Sequence, residues 1–296
     1  MKLVIGSRGS RLALWQAEWV QKKLEAAGFE TEIRVISTSG DKLSTDPINQ
    51  SGVKGLFIKE IEEALITNCI HLAVHSMKDL PVDQPEGLCV AAIPVRDDAR
   101  DVLISREGRR LADLASGSRI GTSSLRRASQ LRELRPDLEI VPMRGNLDTR
   151  INKMARGDCD ALTLAAAGVH RLGLGERVAE YFSPDHVCPA PGQGALAIEI
   201  RQDDVKTEMA VSPLNDFETR LAVTAERAVL RHLGGGCQTP IGAYAVVRGS
   251  TLTITGMVAS AHGAKIVRSK IEGEANDPEA GGAELARQLA RQAKEF

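Results

Sequence analysis

Aromatic side chains are scarce in this 296-residue chain: five Phe, two Trp and two Tyr make up 3% of it. That is too few for the stacking platforms of single-strand nucleic-acid binders. Net charge is almost nil, with 38 basic against 39 acidic side chains. No overall basic field therefore draws the molecule to nucleic acid or to an anionic membrane. Long apolar runs are missing too. No stretch approaches the roughly 18 uninterrupted apolar residues of a transmembrane helix, and polar residues break the N-terminal segment too early for a signal-peptide core. Cysteine is sparse and odd in number. Cys69, Cys89, Cys159, Cys188 and Cys237 form neither a disulfide framework nor a CxxC metal pattern, which points to the cytoplasm and to no metal. All but Cys237 sit among apolar residues and read as small core residues. Hydrophobic residues at 43% and charged residues at 26% exclude disorder and collagen-like repeats. A chain of this length suggests about two domains and needs no disulfide staples.

What the sequence has in excess is arginine: 26 Arg against 12 Lys. Residues 96–156 alone hold 13 Arg and one Lys against 9 acids.

The first two thirds alternate short apolar runs, from 2–5 to 195–200, with helix candidates at 11–27, 56–68, 125–134 and 147–156. Such alternation predicts an α/β fold with parallel or mixed sheets covered by helices. After Val211 the texture changes to a helix at 216–233, three β-like runs and a last helix at 278–294, a small α+β domain. Breaks near 94–98 and 188–194 suggest a discontinuous domain 1 (1–94 and 195–212), an inserted domain 2 (98–188) and domain 3 (216–296). Two segments crossing between two α/β lobes would make a hinged cleft. Residues 38–55 read as a long loop, a length uncommon unless functional or disordered.

Arginine recurs where helix dipoles disfavour it, at strand-to-helix turns. Gly6-Ser-Arg8-Gly-Ser10-Arg11 follows the first strand, Gly121-Thr-Ser-Ser-Leu-Arg126-Arg127 another, and Met143-Arg144-Gly-Asn-Leu-Asp-Thr-Arg150 a third. Gly52-Val-Lys54-Gly55 precedes a fourth helix. Glycine allows close approach, capped turns expose N–H groups, and guanidinium supplies a fork for carboxylate or phosphate. The pattern predicts a polyanion cleft. Gly192-Gln-Gly-Ala-Leu-Ala197 superficially fits a dinucleotide fingerprint, but a Pro-rich turn precedes it where a strand is required.

Asp79 lies in His75-Ser76-Met-Lys78-Asp79-Leu-Pro81 after an apolar strand. A carboxylate there could stabilise a cationic intermediate, or simply neutralise Lys78 or a neighbouring Arg. His71 and His75 fall on one face of a strand about 13 Å apart, too far to share a metal. Cys237 follows three glycines. An accessible thiol on such a loop suits a covalent role.

The ordered motifs resemble the porphobilinogen deaminase family over essentially the whole chain. To those above they add Lys54-Gly-Leu-Phe-Ile-Lys59, Pro191-Gly-Gln193-Gly-Ala-Leu-Ala197, and Glu226-Arg-Ala-Val-Leu-Arg-His-Leu-Gly-Gly-Gly-Cys237-Gln-Thr-Pro-Ile-Gly242. The resemblance implies two lobes like type II periplasmic binding proteins, a hinge, and a small C-terminal domain. It implies a dipyrromethane cofactor joined by a thioether to Cys237. On that primer a deaminating transferase would polymerise four porphobilinogen units and then release hydroxymethylbilane by hydrolysis. Asp79 would be the catalytic residue, stabilising the cation left when ammonia departs. Ser76, Lys78, Thr122, Ser123, Ser124, Arg126, Arg127, Arg144 and Gly145 would line the cofactor. Arg8, Ser10, Arg144, Arg150, Arg171, Gln193 and Lys54 would bind substrate. The family implies a cytoplasmic monomer with no nucleic-acid or membrane partner. Gln50-Ser-Gly-Val-Lys54 departs from the Gly- and Lys-rich loop of many relatives. A non-catalytic, periplasmic-binding-like anion-binding module is the competing reading, but it gives Cys237 and the third domain no task.

Overall fold

The structure, a computed structural model, describes residues 2–38, 58–234, 240–260, 263 and 265–294. It divides into two compact units, one of Met1–Asp97 with Ala195–Arg220 and one of Asp98–Gly194 with Leu221–Phe296.

In chain order, the first unit supplies β1 (Lys2–Ser7), α1 (Arg11–Ala26), β2 (Glu30–Val35), α2 (Lys59–Ile66), β3 (Leu72–Ser76) and β4 (Leu88–Ala92). The second supplies β5 (Asp101–Ser105), β6 (Arg119–Gly121), α3 (Leu125–Leu134), β7 (Glu139–Val141), α4 (Leu147–Ala155), β8 (Ala161–Ala165), α5 (Ala166–Arg171) and β9 (Glu180–Tyr181). The chain then returns to the first unit with β10 (Leu196–Arg201) and α6 (Val205–Val211). It continues through α7 (Phe217–His232), β11 (Ile241–Arg248), β12 (Thr251–Ala259), β13 (Ile266–Glu274) and α8 (Pro278–Ala293).

The two five-stranded sheets share one topology. Their orders are β2-β1-β3-β10-β4 and β7-β6-β8-β5-β9. In each, three parallel strands are followed by an antiparallel strand and then an edge strand antiparallel to it. The antiparallel members, β10 and β5, are each the first strand after the chain changes unit. Even the close approaches match. A Cβ on Gly6, at the end of β1, would lie 2.3 Å from Ile70 Cδ1; one on Gly121, at the end of β6, would lie 2.8 Å from Leu162 Cδ2.

Apolar periodicity builds a core on each sheet face. In the first unit Ala17, Val20 and Leu24 of α1 pack with Leu3, Ile5, Leu72 and Val74, while Ile61 and Leu65 of α2 pack with Ile70 and Ala73. In the second, Ile151 and Met154 of α4 join Leu162 and Leu164, and Leu131 of α3 joins Leu103 and Ile120. The antiparallel sheet β11-β12-β13 buries Ile254 and Leu252 against Leu285 and Leu289 of α8. This α+β segment shares a unit with the second α/β sheet. Ala243 N donates to Pro189 O at 3.0 Å, and Arg268 Nη1 to Glu133 Oε1 at 2.9 Å.

Several local expectations need correction. Helices α5 and α6 and strand β9 were not foreseen. α5 begins directly from β8 with no side-chain cap, so nothing punctuates the sequence there. Cys69 is exposed and Cys89 half-buried, whereas Cys159 and Cys188 lie in the core as expected. Burial pushes the Cys188 thiol up to about 12. Among the described residues no helix is long and apolar enough to cross a membrane.

Candidate functional site

In α/β sheets ligands bind beyond the carboxyl ends of the parallel strands, and each unit places predicted site residues there. In the first unit β1 leads to Arg8 and Ser10, and neighbouring β3 leads to Lys78 and Asp79. Ser10 caps α1 by accepting from Ala13 N at 3.3 Å. Gln16 Nε2, from the same helix, donates to Ser76 Oγ at 3.0 Å and so ties α1 to the end of β3. Met77–Asp79 forms a single 3₁₀ turn. It leaves Lys78 half-buried and Asp79 exposed. The Asp79 carboxylate makes no ion pair among the described residues.

The two histidines are separately satisfied, as expected. His71 Nδ1 accepts from Val4 N at 2.9 Å, and His75 Nε2 lies 2.9 Å from Glu199 Oε2. No His, Cys, Asp and Glu group able to hold a metal is found among the described residues.

In the second unit Ser124 caps α3, accepting from Arg127 N at 3.4 Å. Thr122 Oγ1 accepts from Ser124 N at 3.2 Å, and the exposed Ser123 accepts from Met143 N at 3.0 Å. The capped turn therefore directs Arg126 and Arg127 inward. Expected to line the cofactor, they are only 5% and 6% exposed, and Asp101, which they both grip, is 0% exposed. Arg126 Nη1 donates to Asp101 Oδ2 at 2.6 Å and to Cys188 O at 2.5 Å. Arg127 Nε and Nη2 both donate to Asp101 Oδ1, at 2.9 and 2.7 Å. The physical reason is charge: two cations in the first turn of a helix oppose its dipole, and a buried carboxylate offsets them. Burial alone would raise the pKa of Asp101, but the two guanidiniums hold it well below the usual carboxylate range.

Gln193, expected at a hinge against substrate, is closed to solvent. Its Nε2 donates to Ala99 O at 2.7 Å and Asp101 Oδ1 at 3.0 Å. Arg171 is also buried, with Nη2 on Gly194 O at 2.6 Å. Both side chains brace the protein's interior here.

The turn after β7 is the more open part. Arg144 is exposed and Arg150 half-buried. Gly145 has φ +113, and a Cβ there would lie 2.7 Å from Thr149 Cγ2, so this turn requires glycine. Its carbonyl accepts from Arg150 Nε at 2.9 Å, and Asn146 caps α4. Cys237 and Lys54 lie outside the described residues.

Asp101 escaped the motif reading. Its signal was the local surplus of arginine, which in a packed domain demands buried counter-charge.

Residues 3–209 match the family model described as porphobilinogen deaminase, dipyromethane cofactor binding domain, and residues 220–291 match its C-terminal domain. Porphobilinogen deaminase of Syntrophotalea carbinolica is 51% identical, covering 97% of this chain and 92% of its own length. That of Syntrophobacter fumaroxidans is also 51% identical, over 91% of this chain and 88% of its own. Among solved structures, a Salmonella typhimurium periplasmic binding protein aligns at 14% identity and a TM-score of 0.42, covering 74% of this chain and 93% of that one. That alignment is too loose to add to the topology above. Two domain models in the expected order, with half the residues identical along nearly the full length, place the chain in the porphobilinogen deaminase family.

Proposed function

We propose that the chain deaminates four porphobilinogen molecules and joins them head to tail on a dipyrromethane primer held at Cys237. Hydrolysis then releases hydroxymethylbilane for tetrapyrrole and haem biosynthesis. The observation that carries the reading is the match of residues 3–209 to the cofactor-binding domain and of 220–291 to the C-terminal domain. It favours a transferase over the non-catalytic binding module.

The donor set fits a polycarboxylate primer. Of the five N–H donors on a guanidinium, Arg126 spends two on the protein, and Arg144 stands exposed beside a glycine turn. When bound, the dipyrromethane would supply the free pyrrole carbon to which the first deaminated unit is joined, each later unit joining the ring added before it. Arg126, Arg144, the exposed Ser123, Lys78 and Ser76 bind primer carboxylates. Arg8, Arg150 and Lys54 take the acetate and propionate of incoming substrate. Charge-assisted hydrogen bonds contribute about 1.5–3 kcal/mol each, so a chain that grows by two carboxylates per cycle needs many. Asp79 places its negative charge beside the substrate methylene as ammonia leaves, and it orients the pyrrole N–H groups. This electrostatic stabilisation of developing positive charge is its catalytic part.

The reading carries with it a cytoplasmic monomer acting on a small molecule, without nucleic-acid or membrane partners. An odd set of cysteines supports the compartment and a net charge of −1 the lack of a nucleic-acid or membrane partner, while the monomer rests on the family resemblance alone.

Intact-protein mass spectrometry tests the proposal. The purified chain is expected to carry a covalent adduct that disappears in Cys237→Ser, together with consumption of porphobilinogen. An active protein of unmodified mass would refute it.

A further inference from the structure

Arg126 and Arg127 read alike in sequence, yet the structure uses them differently. Each guanidinium has a side edge, formed by Nε and Nη2, that can grip a carboxylate with two parallel bonds. Arg127 turns this edge inward: Nε and Nη2 sit on Asp101 Oδ1, Nη2 also reaches Gln193 Oε1 at 3.4 Å, and Nη1 reaches Thr163 O at 3.3 Å. Arg126 does the opposite. Its two bonds to the protein both come from Nη1, to Asp101 Oδ2 and Cys188 O. The Nε and Nη2 hydrogens of Arg126 meet no acceptor among the described residues.

Charge points the same way. Two guanidiniums against one carboxylate leave the cluster one positive charge in excess, although Arg126 and Arg127 are almost closed to solvent and Asp101 entirely so. A buried surplus cation in the first turn of α3 is unfavourable unless an anion completes it.

Asp101 is well placed to fix the orientation. It opens β5, pairs with Ala165 of β8, and takes a further bond from Gln193 Nε2 at 3.0 Å. Its carboxylate is thus held on one side by Arg127 and Gln193, while its other oxygen draws Arg126 Nη1 inward. The free side edge of Arg126 is then presented in one direction only.

We propose that Asp101 is a positioning residue that aims the side edge of Arg126 at a carboxylate of the pyrrole chain, with Arg127 and Gln193 holding Asp101 in place. The inference rests on the reading of this unit as a pyrrole-polycarboxylate site. It separates the arginine pair into one that binds and one that braces.

A double-mutant cycle on the full-length enzyme tests it, with adduct mass, KM and kcat for porphobilinogen, and thermal midpoint as readouts. Asp101→Asn is expected to raise KM about tenfold in molecules that carry primer, because a primer carboxylate no longer gripped by the aimed fork leaves the pyrrole chain out of line for the incoming unit. In an Arg126→Lys background, which keeps the charge but lacks the fork, the same change is expected to alter KM less than about twofold. Its thermal cost should persist in both backgrounds. A lowered midpoint with wild-type KM and primer content, or an equal KM penalty in both backgrounds, would leave Asp101 a purely structural ion pair and overturn the proposal. Should Asp101→Asn not accumulate, Asp101→Glu keeps the charge and shifts the carboxylate by one methylene. It is expected to raise KM, and a wild-type KM there also overturns the proposal. A wild-type enzyme with neither adduct nor turnover would instead sink the functional reading beneath it.

Discussion

His75 and Glu199 meet diagonally across adjacent antiparallel strands, where His75 pairs with Ala197 and Glu199 with Ala73, with Nε2 2.9 Å from Oε2 and side chains 7% and 0% exposed. Among the described residues the other Glu199 oxygen, Oε1, finds no partner, nor does Oε1 of Glu62 on α2. These three side chains lie within the first unit, whose β3 leads directly to Asp79.

Removing either partner of this contact should not cost the same. His75→Ala leaves a fully buried carboxylate with nothing to accept from, which typically costs about 3–5 kcal/mol. Glu199→Gln keeps an acceptor for His75 and strands no charge, so about 1–2 kcal/mol is expected. Urea unfolding at pH 7 measures both. Equal costs under about 1 kcal/mol would mean that the contact contributes little.

Glu62 gives a test with a pH sign. Burial first, and the nearby Glu199 charge second, push its pKa up, with partial relief from His75. A raised folded pKa means that the folded protein holds this proton more tightly than the unfolded chain. The stabilising contribution is present below the unfolded value of about 4.3 and is lost as pH rises through the folded value. Glu62→Gln should therefore melt higher than the parent at pH 7, with the gap closing toward pH 4. A lower midpoint at pH 7 would contradict this.

Asp101 has the opposite sign. Its folded pKa is depressed because the two guanidiniums outweigh burial. Its contribution is complete above the unfolded value of about 3.9 and disappears as pH falls from there through the folded value. Asp101→Asn should be less stable than the parent at neutral pH, yet show a flatter loss of stability below about pH 4. Denaturant midpoints across the acid range would show parallel curves if Asp101 were not paired as described.

The sequence makes the turns legible and hides what lies beneath them. Ser10, Ser124 and Asn146 cap helices where small polar residues precede apolar periodicity, and all three accept from an N–H in the following turn. Gly145 is legible as well, since its turn demands a positive φ. The destination of the arginines is not. Asp101 heads an apolar strand like any strand end, and its partners Arg126 and Arg127 are 25 and 26 residues away. Only packing of β5 against α3 reveals that the cations face inward. A pattern of cations at helix starts therefore cannot separate a binding fork from a brace, because both obey the same local chemistry.

Asp79 offers the most direct separation of chemistry from binding. It is exposed on a short turn after β3, and neither Ser76 nor Gln16, which fix that turn's approach, depends on its charge. Asp79→Asn preserves size and hydrogen-bonding reach while removing the negative charge. Stability should shift by no more than about 0.5 kcal/mol, as for other exposed positions. Losing a charge that stabilises a developing cation should lower kcat about 10²–10³-fold, by analogy with removal of one preorganised electrostatic group. The adduct at Cys237 should remain visible by mass, because binding and attachment draw on the cationic clusters. Single-turnover kinetics beside a thermal melt would check the claim. A folded, primer-loaded variant with near-normal rates would show that the charge of Asp79 is not what stabilises the departing ammonia's carbon.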